Sequence, residues 1–204
     1  MTDLEIRRMT SARIPTDVGT FQLYYYQNSG DTKEHLALVM GDVAARPSPL
    51  VRVHSECFTG DVVHSQRCDC GQQLKESIAA IEAYGYGYVL YLRDHEGRGI
   101  GLTEKLKAYI LQNEGFDTVD ANLQLGHSVD SRDWSEAISI LKNLGLSSIQ
   151  LLTNNPEKVK AVAESGIACQ QISLQIEPNE FNKKYLDTKA QRLGHLGNTS
   201  QGGK

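Results

Sequence analysis

The chain has 204 residues, 40% of them hydrophobic and 23% charged, with a formal net charge of −4. That is an ordinary globular composition, long enough to bury one sizeable core, and the acidic balance argues against a broad nucleic-acid-binding face. Met1 to Arg8 hold no apolar signal core and no run approaches the eighteen apolar residues of a membrane span, so a cytoplasmic protein with reduced thiols is expected.

From the start to about residue 55 the pattern is β. Phe21, Leu23 and Tyr25 alternate with Gln22, Tyr24 and Tyr26, and short runs over 35–40 and 50–53 are bounded by Gly, Asp and Pro. Such runs predict an antiparallel sheet, with the three tyrosines as cross-strand packing residues. After Cys70 the period becomes helical. Leu74, Ile78 and Ile81 lead to a glycine stop at Gly85, and the nearly continuous apolar run 88–93 reads as a strand covered on both faces. Leu102, Leu106, Tyr109 and Ile110 mark a helix closed by Gly115, whose stripe, Tyr109 included, reads as core. Trp134, Ile138, Leu141 and Leu144 mark another, stopped by Gly145. Residues 148–153 form a strand, Pro156 opens a helix to about Ser165, and a last helix over 179–193 carries Tyr185, Leu186 and Lys189.

The fold class expected is therefore mixed α+β and α/β, N-terminal antiparallel strands followed by alternating β/α units, with ligands at the strands' carboxyl ends. One domain spans 1–196, and the polar stretch 197–204 reads as a disordered tail.

Chemistry concentrates between Arg52 and Cys70. Cys57-x10-Cys68-x-Cys70 crowds three of the four cysteines together, which predicts a metal site rather than core packing. Three thiolates leave zinc an open, catalytic position, whereas His54 or His64 as a fourth ligand would close it into a structural site. Cys169, beside Ala168, reads as buried filler. Two strand-to-helix junctions suit phosphates: Asp94-His-Glu-Gly-Arg-Gly-Ile-Gly101, whose glycines admit a ligand to the backbone, and Thr153-Asn-Asn-Pro-Glu-Lys158, with Asn155 as N-cap. In a third loop, 126–133, Asp130 and Arg132 on their own read as a capping aspartate and a solvated arginine. A thiolate metal beside anion loops implies hydrolysis of a phosphorylated small molecule, and His54-Ser-Glu56 imitates half of the nucleobase deaminase signature. Cys68-x-Cys70, with one spacer instead of two, breaks the other half.

Arg52-Val-His-Ser-Glu-Cys57, Arg67-Cys-Asp-Cys-Gly71, Glu96-Gly-Arg-Gly-Ile-Gly-Leu102 and Leu151-Leu-Thr-Asn-Asn-Pro156 together resemble GTP cyclohydrolase II, in the family's order, over about residues 14–196. The resemblance implies conversion of GTP to formate, pyrophosphate and 2,5-diamino-6-ribosylamino-4(3H)-pyrimidinone 5′-phosphate, the first step of riboflavin biosynthesis. It implies zinc on Cys57, Cys68 and Cys70, activating the water that attacks guanine C8, and magnesium on the triphosphate. GTP contacts would fall to Arg52, Val53, His54, Ser55, Glu56, Gln73, Glu96, Gly97, Arg98, Thr118, Thr153 and Lys158. Tyr109 matches a catalytic tyrosine, Asp130 the proton acceptor, and Arg132 the residue proposed to attack the α-phosphate, although a guanidinium clamp on the departing pyrophosphate is the gentler chemistry. The stand-alone form and a homodimer are implied as well. The chain departs from the family at Asp94-His95, one residue longer than the Arg-Gln-Glu run of many relatives. The rival readings are a zinc-stapled nucleotide-binding module without turnover and a paralogue that opens the ring without releasing formate.

Overall fold

The computed structural model describes residues 6–29, 33–42 and 47–196; the polar stretch expected as a tail lies outside them. Strands β1 (Ile6–Thr16), β2 (Gly19–Asn28) and β3 (Glu34–Met40) form an antiparallel meander. With β4 (Leu50–Ser55), β5 (Gly87–Leu92), β6 (Ser148–Leu152) and β7 (Ala168–Ile172) they make one seven-stranded sheet in the order β1-β2-β3-β5-β4-β6-β7. β5 is antiparallel to β3, while β5, β4, β6 and β7 are mutually parallel, so the architecture is the mixed one expected.

Helix α2 (Cys70–Tyr84) covers one face, where Ile81 meets Phe21, Leu50 and Val89. Helices α5 (Ser135–Asn143) and α6 (Pro156–Glu164) cover the other, where Ile140 and Leu141 meet Val51, Val53, Leu90 and Leu151. Each such fully buried side chain contributes about 1.5–3 kcal/mol. Alternation along β4 sends Val51 and Val53 to the α5 side and leaves Leu50, Arg52 and His54 on the α2 side. A strand reading as continuously buried thus carries two functional side chains toward the start of α2. β4, β5 and β6 end at the same edge, which puts the loops after Ser55, Leu92 and Leu152 side by side.

Gly85 caps α2 in the left-handed conformation, as its position predicted. Elsewhere the expectations need correction. On α3 (Gly101–Asn113) the apolar stripe faces outward: Leu102, Leu106 and Ile110 are 38%, 46% and 59% exposed, and the inward residues are Lys105 and Ala108. The helix packs against a polar cavity rather than a core. Asp130 caps nothing and Arg132 is not solvated: Arg132 N, Nε and Nη2 all donate to the Asp130 carboxylate. Helix α7 (Lys183–Leu193) starts four residues later than expected, because Asn179 Oδ1 accepts from Phe181 N and Asn182 N and turns the chain instead. Two short helices, α1 (Phe58–Asp61) and α4 (Thr118–Gln124), and strand β7 had no signal strong enough to read. Cys169, on β7, packs only partly buried against the core.

Candidate active site

Cys57 is the N-cap residue of α1 and Cys70 the first residue of α2. The two helices approach through glycines. A Cβ on Gly71 would overlap the Gly60 carbonyl oxygen, and one on Gly60 would press on Cys57 Sγ and Cys68 Sγ at 3.1 Å. This contact closes the Cys57–Cys70 segment on itself, so that the three sulfurs lie within 4.8 Å of one another, with Cys57 and Cys68 at 3.7 Å. Two sulfurs bound to one tetrahedral zinc at about 2.3 Å stand roughly 3.8 Å apart, so the thiols fit that ion. Among the described residues no His, Asp, Glu or fourth Cys joins the group. His54 is committed elsewhere. Its Nε2 faces both Asp61 oxygens at 3.0 and 3.1 Å, and Asp61 also accepts from Cys57 N and the Tyr91 hydroxyl. Burial pushes the His54 pKa down, against its bond to Asp61.

Lys105 stands over the thiols, donating to Cys57 Sγ at 3.0 Å, Thr59 Oγ1 at 2.9 Å and Glu96 Oε1 at 2.6 Å. Burial disfavours its cation, but Tyr109 and the Cys57 sulfur outweigh that and raise its pKa. Glu96 is further held by Phe58 N at 2.7 Å. Tyr109, one turn along α3, stacks under the Arg67 guanidinium at 4.5 Å, and burial raises its pKa.

Lining the same cavity as the thiols is a cationic wall. Arg52, 4% exposed, donates to the Leu152 carbonyl and to Gln73 Oε1; burial lowers its pKa to about 10. Lys158, from the first turn of α6, donates to the Val53 carbonyl at 2.7 Å and lies 4.7 Å over the Trp134 ring. Burial, then Arg52 and Arg132, hold its pKa well below the usual lysine value. Arg132 is forked onto Asp130, reaches Ser55 Oγ at 3.3 Å and covers the same Trp134 ring. Arg98, at φ 67 beside Gly97 at φ 60, leaves buried Nη2 without a partner among the described residues. A left-handed arginine is uncommon, and such strain is held where a loop must present its backbone. Buried cations that depress one another describe a wall built for an anion.

The cavity thus gathers Arg52, His54, Ser55, Glu56, Gln73, Glu96, Gly97, Arg98, Tyr109, Thr118, Lys158, Arg132 and the three cysteines. Val53 and Thr153 are not on its lining. Val53 faces the core and offers its carbonyl to Lys158, and Thr153, 1% exposed, accepts from Asn155 N. Asp130 reaches the site through Arg132. Sequence reasoning missed Lys105, His95, Tyr185, His195 and the site role of Lys189. Lys105 did carry a signal, a charge one turn before Tyr109 on the same helix face. His95, whose Nδ1 meets Ser55 Oγ at 3.3 Å and whose ring abuts Trp134, is one of the two residues of the Asp94-His95 departure.

Thiols that could hold a metal, sharing a cavity with buried cations at the carboxyl edge of an α/β sheet, fit a site for a phosphate-bearing ligand. Comparison with known proteins narrows the class: residues 7–173 match the family described as GTP cyclohydrolase II, and the chain belongs to that family. The riboflavin biosynthesis protein RibBA of Bacillus cereus (strain B4264) is 53% identical over 192 residues, 94% of this chain and 48% of that protein. The protein of the same name from Bacillus subtilis (strain 168) is 52% identical over 193 residues, with the same shares covered. The chain therefore spans about half the length of these curated relatives. Among solved structures, RibBX, a two-domain 3,4-dihydroxy-2-butanone 4-phosphate synthase from A. baumannii, aligns with a TM-score of 0.47 at 22% identity, over 84% of this chain and 41% of that one.

Proposed function

We propose that this domain hydrolyses GTP to formate, pyrophosphate and 2,5-diamino-6-ribosylamino-4(3H)-pyrimidinone 5′-phosphate, as a cytoplasmic homodimer acting in riboflavin biosynthesis. The observation that carries the reading is that three converging thiols and a surplus of buried cations line one cavity. Cys57, Cys68 and Cys70 would hold zinc, which when bound would supply a Lewis acid able to make water nucleophilic near neutral pH. The guanine ring lies toward the thiols. Glu96, fixed by Phe58 N and Lys105, and Glu56, fixed by Asp94 N and Arg93, present oriented carboxylates to its polar edge. Tyr109 stays protonated on that wall and donates to the developing charge. The triphosphate, with magnesium on its oxygens, lies against Arg52, Arg98, Arg132 and Lys158.

The geometry favours Arg132 as a clamp on the departing pyrophosphate over Arg132 as a nucleophile. A guanidinium forked onto Asp130 and laid on Trp134 has no lone pair to offer. Asp130 is accordingly the residue that orients it, and its own pKa is lowered chiefly by Arg132 against the cost of burial.

Incubating metal-analysed protein with GTP and magnesium and separating the products tests the reading. One zinc per chain with formate, pyrophosphate and the pyrimidinone phosphate in equal amounts is expected. A ring-opened product that retains its formyl group would establish the partial reaction, and no product at all the binding module.

A further inference from the structure

Helix α7 follows the last residue matched to the family, yet it carries Lys189 into the wall of the cavity. It docks mainly through polar contacts. Thr188 and Lys189 are its buried residues, Lys184 Nζ donates to the Gly115 carbonyl, and Arg192 Nη1 donates to Asp117 and Asp120. The buried end of this helix meets a carboxylate in an unusual commitment. Asp69 occupies the N-cap position of α2, where an aspartate ordinarily accepts a first-turn amide, but its side chain caps nothing. Instead Oδ1 accepts from Lys189 Nζ at 2.7 Å and Oδ2 from Gln73 Nε2 at 2.5 Å. Asp69 and Lys189 are 2% and 8% exposed.

A glutamine amide has one donating and one accepting end. Because Asp69 takes the donating end of Gln73, Oε1 is turned to Arg52, whose Nη2 donates to it at 2.5 Å while Nη1 holds the Leu152 carbonyl. Arg52 Nε then has no protein partner among the described residues. Removing the ammonium would leave the buried Asp69 carboxylate without its cationic partner and free to turn, and Gln73 would lose the constraint that orients it.

We propose that Lys189 is a positioning residue: through Asp69 and Gln73 it fixes the Arg52 guanidinium toward the substrate anion, so that the C-terminal helix completes the nucleotide site. The inference rests on GTP as the ligand. It concerns a residue that contacts neither metal nor reacting atoms.

The test uses the full chain, with zinc content, kcat, KM and equilibrium binding of a non-hydrolysable GTP analogue measured for wild type, K189M, D69N and the double variant. Wild type that binds no analogue would sink the GTP reading itself. With wild type active, K189M is expected to weaken analogue binding and raise KM roughly tenfold, with kcat within about threefold and zinc unchanged. K189R, which keeps the charge, recovers most of the loss. The double variant is expected to be no worse than D69N, since both cut one chain. Multiplying losses in the double variant, or wild-type KM in K189M, would overturn the relay. Should K189M fail to fold, Q73L interrupts the same chain without touching α7, and undiminished analogue binding by Q73L overturns it equally.

Discussion

At its thiol end the cavity is assembled from the short run Cys57 to Cys70, closed on itself by the contact of Gly60 with Gly71. At its cationic end Arg52, Arg98, Arg132, Lys158 and Lys189 arrive from β4, α6, α7 and two loops, and no two of them are sequence neighbours. The thiol end is close-packed and carries its counter-charge within it, as Lys105 donates to both Cys57 and Glu96. The cationic end is a charge surplus whose members are tied to backbone carbonyls and ring faces instead of carboxylates, Asp130 and Asp69 excepted. One end is made by local chain geometry and the other by topology. A metal needs a few ligands at fixed distances, whereas a triphosphate needs positive charge spread over many ångströms.

The largest effects should separate the two ends. Cys68→Ser is expected to abolish zinc binding and formate release while pyrophosphate release persists; metal analysis with separate formate and pyrophosphate assays checks it, and equal loss of both products would show that the ends are not independent. Arg132→Ala is expected to cut pyrophosphate release by about 10² to 10³ with zinc intact, the usual effect of removing one charge-stabilising donor. Next in size is Gly71→Ala. Its methyl group collides with the Gly60 backbone, so α1 and α2 must part, at a cost of roughly 1–3 kcal/mol in stability together with the metal. Denaturant melts with zinc titration should show both losses, and a variant of wild-type stability and zinc affinity would remove the glycine contact from the argument.

The same contrast explains what could be read without coordinates. The cysteines were legible because their spacing is itself the signal, and Asn155-Pro156 because an N-cap followed by proline acts through its own helix turn: Asn155 Oδ1 accepts from Glu157 N as the pattern predicts. The strands and the larger helices followed from period and glycine stops. Tyr109 was misplaced in a core because helical periodicity locates an apolar face but does not say which face looks inward. On α3 the polar face does, since the ligand cavity replaces the core there. The burial of Arg132 and the site role of Lys189 are out of reach of spacing for a related reason: what buries them is Trp134 and Asp69, brought close by folding. The short helices α1 and α4 have too few residues for any period to show.

The smaller effects probe the cationic end alone. His95 lies between Ser55 and Trp134 with Arg132 and Lys158 near, and burial, then those cations, push its pKa down to about 3. Its neutral form is the one that folds, so its contribution is complete above the unfolded value of about 6.5 and drains as pH falls toward 3, by up to about 1.4 kcal/mol per pH unit. Urea melts at pH 7, 6 and 5 should show stability falling, with a shallower slope in His95→Gln. An unchanged slope would mean that His95 takes up its proton in the folded state.

Asn155→Ala should be the smallest loss, about 1 kcal/mol of stability for one N-cap. Its value lies in where the damage goes. Lys158 sits in the turn that Asn155 caps and holds the Val53 carbonyl, so loosening that turn moves a cation of the anion wall without touching α1 or α2. KM for GTP should therefore rise about two- to threefold, as expected when roughly half of that cap energy is lost from binding, while zinc content and kcat stay at wild-type values. If zinc content fell as well, the thiol end would depend on α6, and the independence of a locally folded metal site from a topologically assembled anion site would be lost.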